Sequence, residues 1–572
     1  MHCENKKIDF FQMYTRWLRP AHISVFFAIV LVFVMLTGVH NRYLWSMDEP
    51  REAEIARETL VDGHWITPHL CGLPFLEKPP LFYDLIAGAY ALTGSISPTV
   101  ARIVPVIFGI IMLAAVFWFC NRWAGARTAW FSVLVLVTMP KFYYYSHLIL
   151  LDIAVGAFST VALVAFAFWL WWPGSNVKNQ ALLCLFYLAS AGAFMSKGVI
   201  GVFHIVVIVG AFCIITQRWQ TLRKLICAWP ILVFIIPVVM WIYLFYREGG
   251  VGYLFEFFVN NVIGRFFKKQ FVLPGVHFYN TDLGRTCPWY FYIYELPSIA
   301  GAIIVILPLT IWDAAVKIKT SQQPLKQNRN LQIDVWPFLL IWAVLPVFLL
   351  SFPAAKEKSY IIPSYAAMAI LVGAWLNERL PKTEGKQWQG VGCFLIVAAV
   401  AVLGIFWPGM NAITYMIIAG FLISLTILII LISLRKKEFN QAFFAAIAVA
   451  LCLPILYYAP NVQLEFRPYN CALTLVKEVW TRVDDVPLYM YRPRDIVRGS
   501  VSFYKNRTVH ELDTPEELYS VLTSGQKVFV LVEEKRLGTL RNNNLVANLY
   551  TVQLLPDCGL DKKFMLLTNL KN

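Results

Sequence analysis

The chain has 572 residues, is 59% hydrophobic and only 15% charged, and has a mean hydropathy of +0.61. That balance excludes an ordinary soluble enzyme, because repeated apolar stretches of about 20 residues read as membrane-spanning helices. The formal net charge of +15 does not point to nucleic acid: much of it falls in short loops between apolar segments, where Lys and Arg mark the cytoplasmic side, and the rest suits anionic lipid head groups or phosphate-bearing substrates.

Lys6, Lys7, Arg16 and Arg19 precede an apolar run at 23–39. The run is too long for a signal-peptide core and lacks a small-residue cleavage site, so it reads as an uncleaved first span entering from the cytoplasm. The next stretch, 47–80, is then external. It opens with Asp48, Glu49 and Arg51, closes with Glu77, Lys78, Pro79 and Pro80, and holds an amphipathic helix at 52–61 ended by Asp62-Gly63. Charge this close to a bilayer is costly and points to function. A solvated loop over a helix bundle is the alternative, and such a loop does not need two acidic clusters, a Pro-Pro and an embedded helix.

Residues 81–93 are apolar but short, and are expected to lie along the outer surface. Crossings follow at 100–120 inward and 128–145 outward, then from the turn carrying Tyr143, Tyr144, Tyr145, His147 and Asp152 back in to about Trp172. Residues 181–194 run out to Ser196-Lys197-Gly198, 199–216 run in to Arg218, Arg223 and Lys224, and 225–246 run out again. The segment 247–289 reads as external, with an amphipathic aromatic helix and the string Asn260-Asn261-Val262-Ile263-Gly264-Arg265-Phe266. Residues 291–312 return to a basic loop, 335–352 go out to Lys356-Glu357-Lys358-Ser359-Tyr360, and 361–375 go in. Spans at 390–407, 411–434 and 441–458 bring the total to about thirteen crossings. Every short loop assigned to the cytoplasm is basic, and the unusual acids Asp48, Glu49, Glu77 and Asp152 all fall on the opposite face.

The sequence thus divides into a membrane domain, 1–460, whose external loop is 41–99, and a soluble extracytoplasmic α/β domain, 461–572. In the latter, 486–491, 500–504, 527–532 and 549–555 read as short strands. Asp513-Thr514-Pro515-Glu516-Glu517 reads as a capped helix start. No motif in this domain carries chemistry, and a lid or docking role is expected. The eleven cysteines show no metal-type spacing; a Cys471–Cys558 bond is open. His64 and His69, five apart without a Cys or carboxylate partner, do not by themselves make a metal site, and a divalent metal is left open.

Several strings together carry a family resemblance: Asp48-Glu49-Pro50-Arg51, Ala53-Glu54-Ile55-Ala56-Arg57-Glu58, Gly63-His64-Trp65-Ile66-Thr67-Pro68 and Phe75-Leu76-Glu77-Lys78-Pro79-Pro80-Leu81. They are similar to the first external loop of the ArnT/PMT-like GT-C glycosyltransferases, which include lipid A aminoarabinose transferases and protein O-mannosyltransferases. The likeness continues at Leu151-Asp152, Ser196-Lys197-Gly198, Gly264-Arg265-Phe266 and Lys356 with Tyr360 and Pro363, and covers the chain to about Leu380. It implies an α-helical polytopic membrane protein of the GT-C type in the bacterial inner membrane, with its active site facing the periplasm. It also implies a polyprenyl-phosphate-linked sugar donor and an extracytoplasmic acceptor, whether lipid A, another glycan or a protein. Where the aminoarabinose enzymes tend to show Lys-Leu-Pro-Thr-Tyr, this chain has Lys356-Glu357-Lys358-Ser359-Tyr360, so sugar and acceptor stay open.

The residues support the same chemistry independently. Lys78, Arg265 and Lys356 are cations in external loops, suited to a phosphodiester, and Tyr360 adds a hydroxyl. Asp48 and Asp152 are the acidic pair, able to act as base on an acceptor hydroxyl or to orient the acceptor; a phosphate acceptor is already ionised and needs no strong base. Glu49, Arg51, Glu77 and Lys197 are expected in support. Each has a structural alternative: Asp48 pairing with Arg51 or capping its helix, Glu77 pairing with Lys78, Asp152 capping its span, Lys197 anchoring a helix at the interface. A transporter or flippase is the rival class, but no inverted repeat or midplane polar cluster is visible.

Overall fold

The computed structural model describes residues 20–36, 39, 43–44, 48–273, 284–320, 331–379, 471–541, 550–555 and 563–569. The spans expected at 390–407, 411–434 and 441–458, the basic N-terminal residues and Cys558 lie outside the described residues. Within them the chain is mainly helical. Five helices are long and apolar enough to cross a membrane: Pro98–Ala124, Asp152–Trp171, Asn176–Lys197, Trp229–Phe267 and Lys358–Arg379. Shorter apolar helices at Leu81–Thr93, Ala126–Thr138, Val199–Ile215 and Asp334–Leu349 accompany them.

The central bundle packs Asp152–Trp171 against Asn176–Lys197 and Pro98–Ala124, with Ile362–Arg379 against Ala126–Thr138. Aromatic side chains fill it. Phe166, Phe212, Trp171 and Phe338 meet at ring-centroid separations of 5.4–6.3 Å, within the range in which aromatic pairs attract beyond their buried area.

The helices depart from the expected spans at prolines and glycines. The 128–145 segment breaks after Thr138 and restarts as Pro140–Ser146. The 291–312 segment breaks at Gly301, whose φ of 58° is left-handed. The helix of the span expected at 225–246 runs on past Tyr246, turns at Gly250 (φ 65°, ψ −153°), and continues as a π-helix at Phe255–Gly264. Glycine is the residue that can absorb that reversal without strain. The wide π-turns deliver Arg265 at their end.

The stretch expected to be external after the first span is mostly structured. The helix expected at 52–61 spans Glu49–Asp62, three residues earlier, and stops at Gly63 (φ 80°). A small antiparallel hairpin, His69–Leu70 with Leu73–Pro74, follows. Glu58 holds its turn, accepting from the Cys71 and Gly72 backbone N–H groups at 2.7 and 3.1 Å. Leu81–Thr93 buries Phe82, Tyr83, Ile86 and Tyr90 against the Glu49–Asp62 helix.

Toward the C-terminus, strands and helices alternate in a five-stranded mixed sheet of order His510–Leu512, Leu488–Tyr491, Phe529–Glu533, Phe564–Asn569, Tyr550–Leu554. The Thr514–Glu517 capping box starts the Pro515–Leu522 helix. The strand expected at 500–504 is instead part of the helix Asp495–Lys505. Its local alternation misled: the buried positions Ile496, Val497, Ser500 and Val501 recur with helical spacing once the window starts at Asp495.

Candidate functional site

The site is built on the Glu49–Asp62 helix. The mean character of that helix is polar, yet Glu49, Glu52, Glu54, Arg57 and Glu58 are all fully buried. Buried charge must be paired or it is expelled. Arg57 donates twice to Glu54, at 2.8 and 2.7 Å. Glu49 receives Arg102 at 2.9 and 2.8 Å and the backbone N–H of Ile149 at 3.2 Å. Glu49 therefore ties the site helix both to the Pro98–Ala124 span and to the loop that leads into Asp152; it is an anchor.

Asp48 sits at the N-terminus of this helix without capping it. Its side chain is 46% exposed and pairs with Arg51 at 2.8 Å. Arg51 also donates to Glu52 at 2.9 Å and to Asp495 at 2.7 Å. Lys78 does not pair with its neighbour Glu77; its ammonium reaches Glu52 at 2.7 Å. Glu77 instead takes Arg265, 188 positions later, at 2.7 Å. Phe75 lies beneath this group, with Arg51 and Lys78 5.6 and 5.7 Å from its ring centroid. Burial pushes the Glu52 carboxyl up, but Lys78 and Arg51 outweigh it and hold it down at about 2. Glu77 is also lowered: burial opposes, and Arg265, Arg51 and Lys78 prevail.

The second half of the site comes from the bundle. Asp152 opens its span and pairs closely with Lys197 at the end of the facing helix. Gly198, with φ 63° and ψ −142°, turns the chain directly after Lys197, a conformation that residues with a Cβ rarely adopt. The Lys197 ammonium lies 4.8 Å from the Tyr360 ring centroid, so Tyr360 presents its face to a cation. Glu357 stands next in the chain to Lys356. Burial raises its carboxyl, Lys197 lowers it, and the negative charges of Asp152 and Asp48 raise it further.

Lys356 stands apart. It is buried, and its ammonium donates to the carbonyls of Cys287 and Pro353 at 2.9 and 2.5 Å. Its backbone N–H meets Arg285 O at 3.4 Å, and Thr286 bridges to Ala355. In this arrangement Lys356 ties the loop after 283 to the 353–358 turn. Lys358 pairs with Glu295 at 2.8 Å. His64 and His69 stack on each other at 3.6 Å, with His69 Nδ1 2.8 Å from Thr67 O. Among the described residues, no group of three or more His, Cys, Asp or Glu is arranged to hold a metal ion.

Sequence reasoning missed Glu52, Arg102, Glu357 and Asp495. Glu52 gave a usable signal, since it lies on a helix whose Ala53, Ile55 and Ala56 are core residues. Glu357 stood in a quoted string but between two lysines, which reads as a solvated turn. Arg102 and Asp495 are brought in by tertiary contact from 53 and 444 positions away.

Residues 23–248 match the family model for dolichyl-phosphate-mannose-protein mannosyltransferase. Among curated relatives, the undecaprenyl phosphate-alpha-4-amino-4-deoxy-L-arabinose arabinosyl transferase of Edwardsiella ictaluri is 28% identical over 371 residues, 64% of this chain and 61% of that protein. The transferase of the same name from Pectobacterium atrosepticum is 25% identical over 399 residues, 67% of this chain and 66% of that one. The chain thus matches less than two thirds of the length of these relatives. The crystal structure of ArnT from Cupriavidus metallidurans bound to undecaprenyl phosphate superposes with a TM-score of 0.72 at 18% identity, covering 97% of this chain and 99% of that one; its apo form gives 0.71. The fold is that of the ArnT crystal structures, largely helical, with five helices long and apolar enough to cross a membrane among the described residues. In sequence the chain is similar to the ArnT/PMT-like glycosyltransferases.

Proposed function

We propose that this protein moves a sugar from a polyprenyl-phosphate donor to lipid A or a related acceptor outside the cytoplasm. The observation that carries this reading is the alternation of acids and cations gathered on one end of the bundle: Asp48–Arg51–Glu52–Lys78, Glu77–Arg265 and Asp152–Lys197. The donor's phosphodiester is an anion at the membrane surface. Arg265 exchanges Glu77 for it, Lys78 reaches it while Glu52 stays beneath, and the two cations hold the phosphate as the sugar leaves. Asp48, the exposed acid, faces the acceptor as base or orienting group, and Asp152, fixed by Lys197, sets the opposite wall. Lys197 and Tyr360 flank it. Lys356 enters the phosphate site by leaving its two carbonyls; otherwise it shapes the loop that closes the site.

In this reading the membrane domain has about thirteen crossings in the bacterial inner membrane, with the N-terminus cytoplasmic. The site and the C-terminal α/β domain face the periplasm. The apolar faces of Trp229–Phe267, which leave Ile236, Val239 and Met240 exposed, suit lipid and the prenyl chain. The names of the curated relatives support an undecaprenyl-linked aminopentose as donor. The mannosyltransferase family model supports a second reading, a protein hydroxyl acceptor, which would need a base where a phosphate acceptor does not. The deciding experiment incubates purified full-length protein in detergent with undecaprenyl-phosphate-linked sugar and either lipid A or a Ser/Thr peptide. Mass spectrometry should find the sugar on lipid A. Sugar on the peptide alone would select the second reading, and transfer to neither would sink both.

A further inference from the structure

We infer that Asp495, in the C-terminal α/β domain, is a positioning residue for the transfer site, acting through Arg51 on Asp48. This rests on the reading of Asp48 as a group that meets the acceptor. The Arg51 guanidinium forks. Its Nη1 donates to Asp495 Oδ2 at 2.7 Å, while Nη2 meets Asp48 Oδ1 at 2.8 Å and Glu52 Oε1 at 2.9 Å. A planar fork engaged on both prongs has one orientation. Asp48 is 46% exposed and makes no capping bond to its own helix, so Arg51 is what orients its carboxylate. Replacing the Asp495 carboxylate by an amide takes the charge out of the bond to Nη1 and leaves the guanidinium freer to swing, and Asp48 with it.

Asp495 is itself held from behind. Arg498 lies 3.5 Å from its other oxygen and 2.7 Å from Glu511. The five side chains form one line from the sheet to the membrane face: Glu511, Arg498, Asp495, Arg51, Asp48. The helix that carries Asp495 is pressed on the site helix. A Cβ on Gly499 would collide with the Pro50 backbone, next to Arg51. Further contacts fix the register along both helices. Arg57 donates to Thr508 at 2.8 Å, Thr508 donates to Asp62 at 3.1 Å, and Leu44 N–H donates to Tyr504 at 2.8 Å. Docking is thus supplied by other contacts, and Asp495 adds a charge at Arg51, the residue that pairs with Asp48 among the described residues. The C-terminal domain completes the site.

The test uses full-length protein and reads single-turnover transfer at saturating donor, donor Kd and unfolding temperature separately. D495N should slow transfer about tenfold, the scale of a sub-ångström to ångström misplacement, with donor Kd within about twofold and unfolding temperature unchanged. D495E, which keeps the charge, should recover most of the rate. In a D48N background, D495N should add no further loss, because the group it positions is gone. Wild-type rate in D495N overturns the inference. So does an equal further loss in the D48N background, and so does a D495N defect that appears as lowered stability and weaker donor binding together, since each marks a docking role alone. An inactive wild-type protein would overturn the transfer reading itself, an outcome no Asp495 variant can produce.

Discussion

Lys78→Ala perturbs two things at once, and the structure separates them. The Lys78 ammonium is 2.7 Å from Glu52, whose side chain is fully buried. Breaking a buried pair by removing one partner costs about 3–5 kcal/mol, because the other charge stays buried. Arg51 remains 2.9 Å from the same oxygen, so we expect the lower part of that cost to be offset and a net loss of about 2 kcal/mol in stability. If Lys78 also holds the donor phosphate, its loss removes a charge-assisted hydrogen bond of about 1.5–3 kcal/mol, roughly 10- to 150-fold in donor Kd. Glu52→Gln supplies the separation. In the double variant the buried carboxylate is gone, so stability returns toward wild type while the donor defect persists. The assay pairs thermal unfolding in detergent with titration of undecaprenyl phosphate. Recovery of donor affinity in the double variant would refute the phosphate contact and reduce Lys78 to a counter-ion for Glu52.

Asp48→Asn should keep folding and donor binding and lower single-turnover transfer by at least about a hundredfold for a hydroxyl acceptor; Asp152→Asn should impair it too, and full turnover in both variants would remove the carboxylates from the mechanism. Glu77→Gln should tighten binding of undecaprenyl phosphate several-fold by freeing Arg265 from its 2.7 Å partner, whereas Arg265→Ala should weaken it by about 1.5–3 kcal/mol; a titration showing looser binding in Glu77→Gln would contradict the exchange of partners. The Glu52 carboxyl lies at about 2 against an ordinary 4.5, so its contribution to stability is fully present above pH 4.5 and is lost as pH falls toward 2. Unfolding temperature should therefore drop less steeply over that window in Glu52→Gln than in wild type, and identical acid limbs would refute the pairing. Cysteines placed at the exposed Trp65 and Tyr519 in a cysteine-free background should label from the periplasmic side, and labelling from the cytoplasm would invert the topology.

Much of the membrane fold was legible because apolar length and loop charge are local signals. The spans that begin at Asp152 and end at Lys197 and Arg379 fall where hydropathy and basic loops put them. The breaks were less visible. Gly301 interrupts a stretch whose hydropathy does not change across it, and at Pro140 the aromatic run at 142–145 keeps a window average high enough to pass over the break. The turn at Gly250 was hidden because helix continues on both sides of it, and a Gly-Gly pair reads as the end of a span and not as a reversal within a helix. In the C-terminal segment the capping box at Thr514 was readable from four consecutive residues, whereas Ser500–Tyr504 was misread because alternation over five residues also fits two turns of an amphipathic helix. The expectation that the site acids share one face was legible from topology. Who pairs with whom was not. Glu77 and Lys78 are adjacent, in a turn and the bend after it, yet each finds its partner from elsewhere, 188 and 26 positions away.

Those long-range pairs explain why the first external stretch carries two acidic clusters. Arg51, Lys78, Lys197 and Arg265 are largely buried and would repel one another there, where charges are screened less than in water. Asp48, Glu52, Glu77 and Asp152 answer them one for one, and the site at rest is close to charge balance. An anionic donor entering that site does not meet bare cations. It meets ion pairs and must displace a carboxylate from at least one of them, with Glu77 the better placed to yield: it is 17% exposed on its side chain, whereas Glu52 is fully buried. The displaced carboxylate then has water to go to, and Arg265 passes from a protein anion to the phosphate without being left unpaired. The same logic keeps Glu52 in place under Lys78 as a fixed negative charge, so that Lys78 leans toward the donor with its stem on Phe75 while its charge stays partly compensated. On this view donor affinity is deliberately moderate, and the phosphate product, once the sugar has left, is released by the return of Glu77 to Arg265.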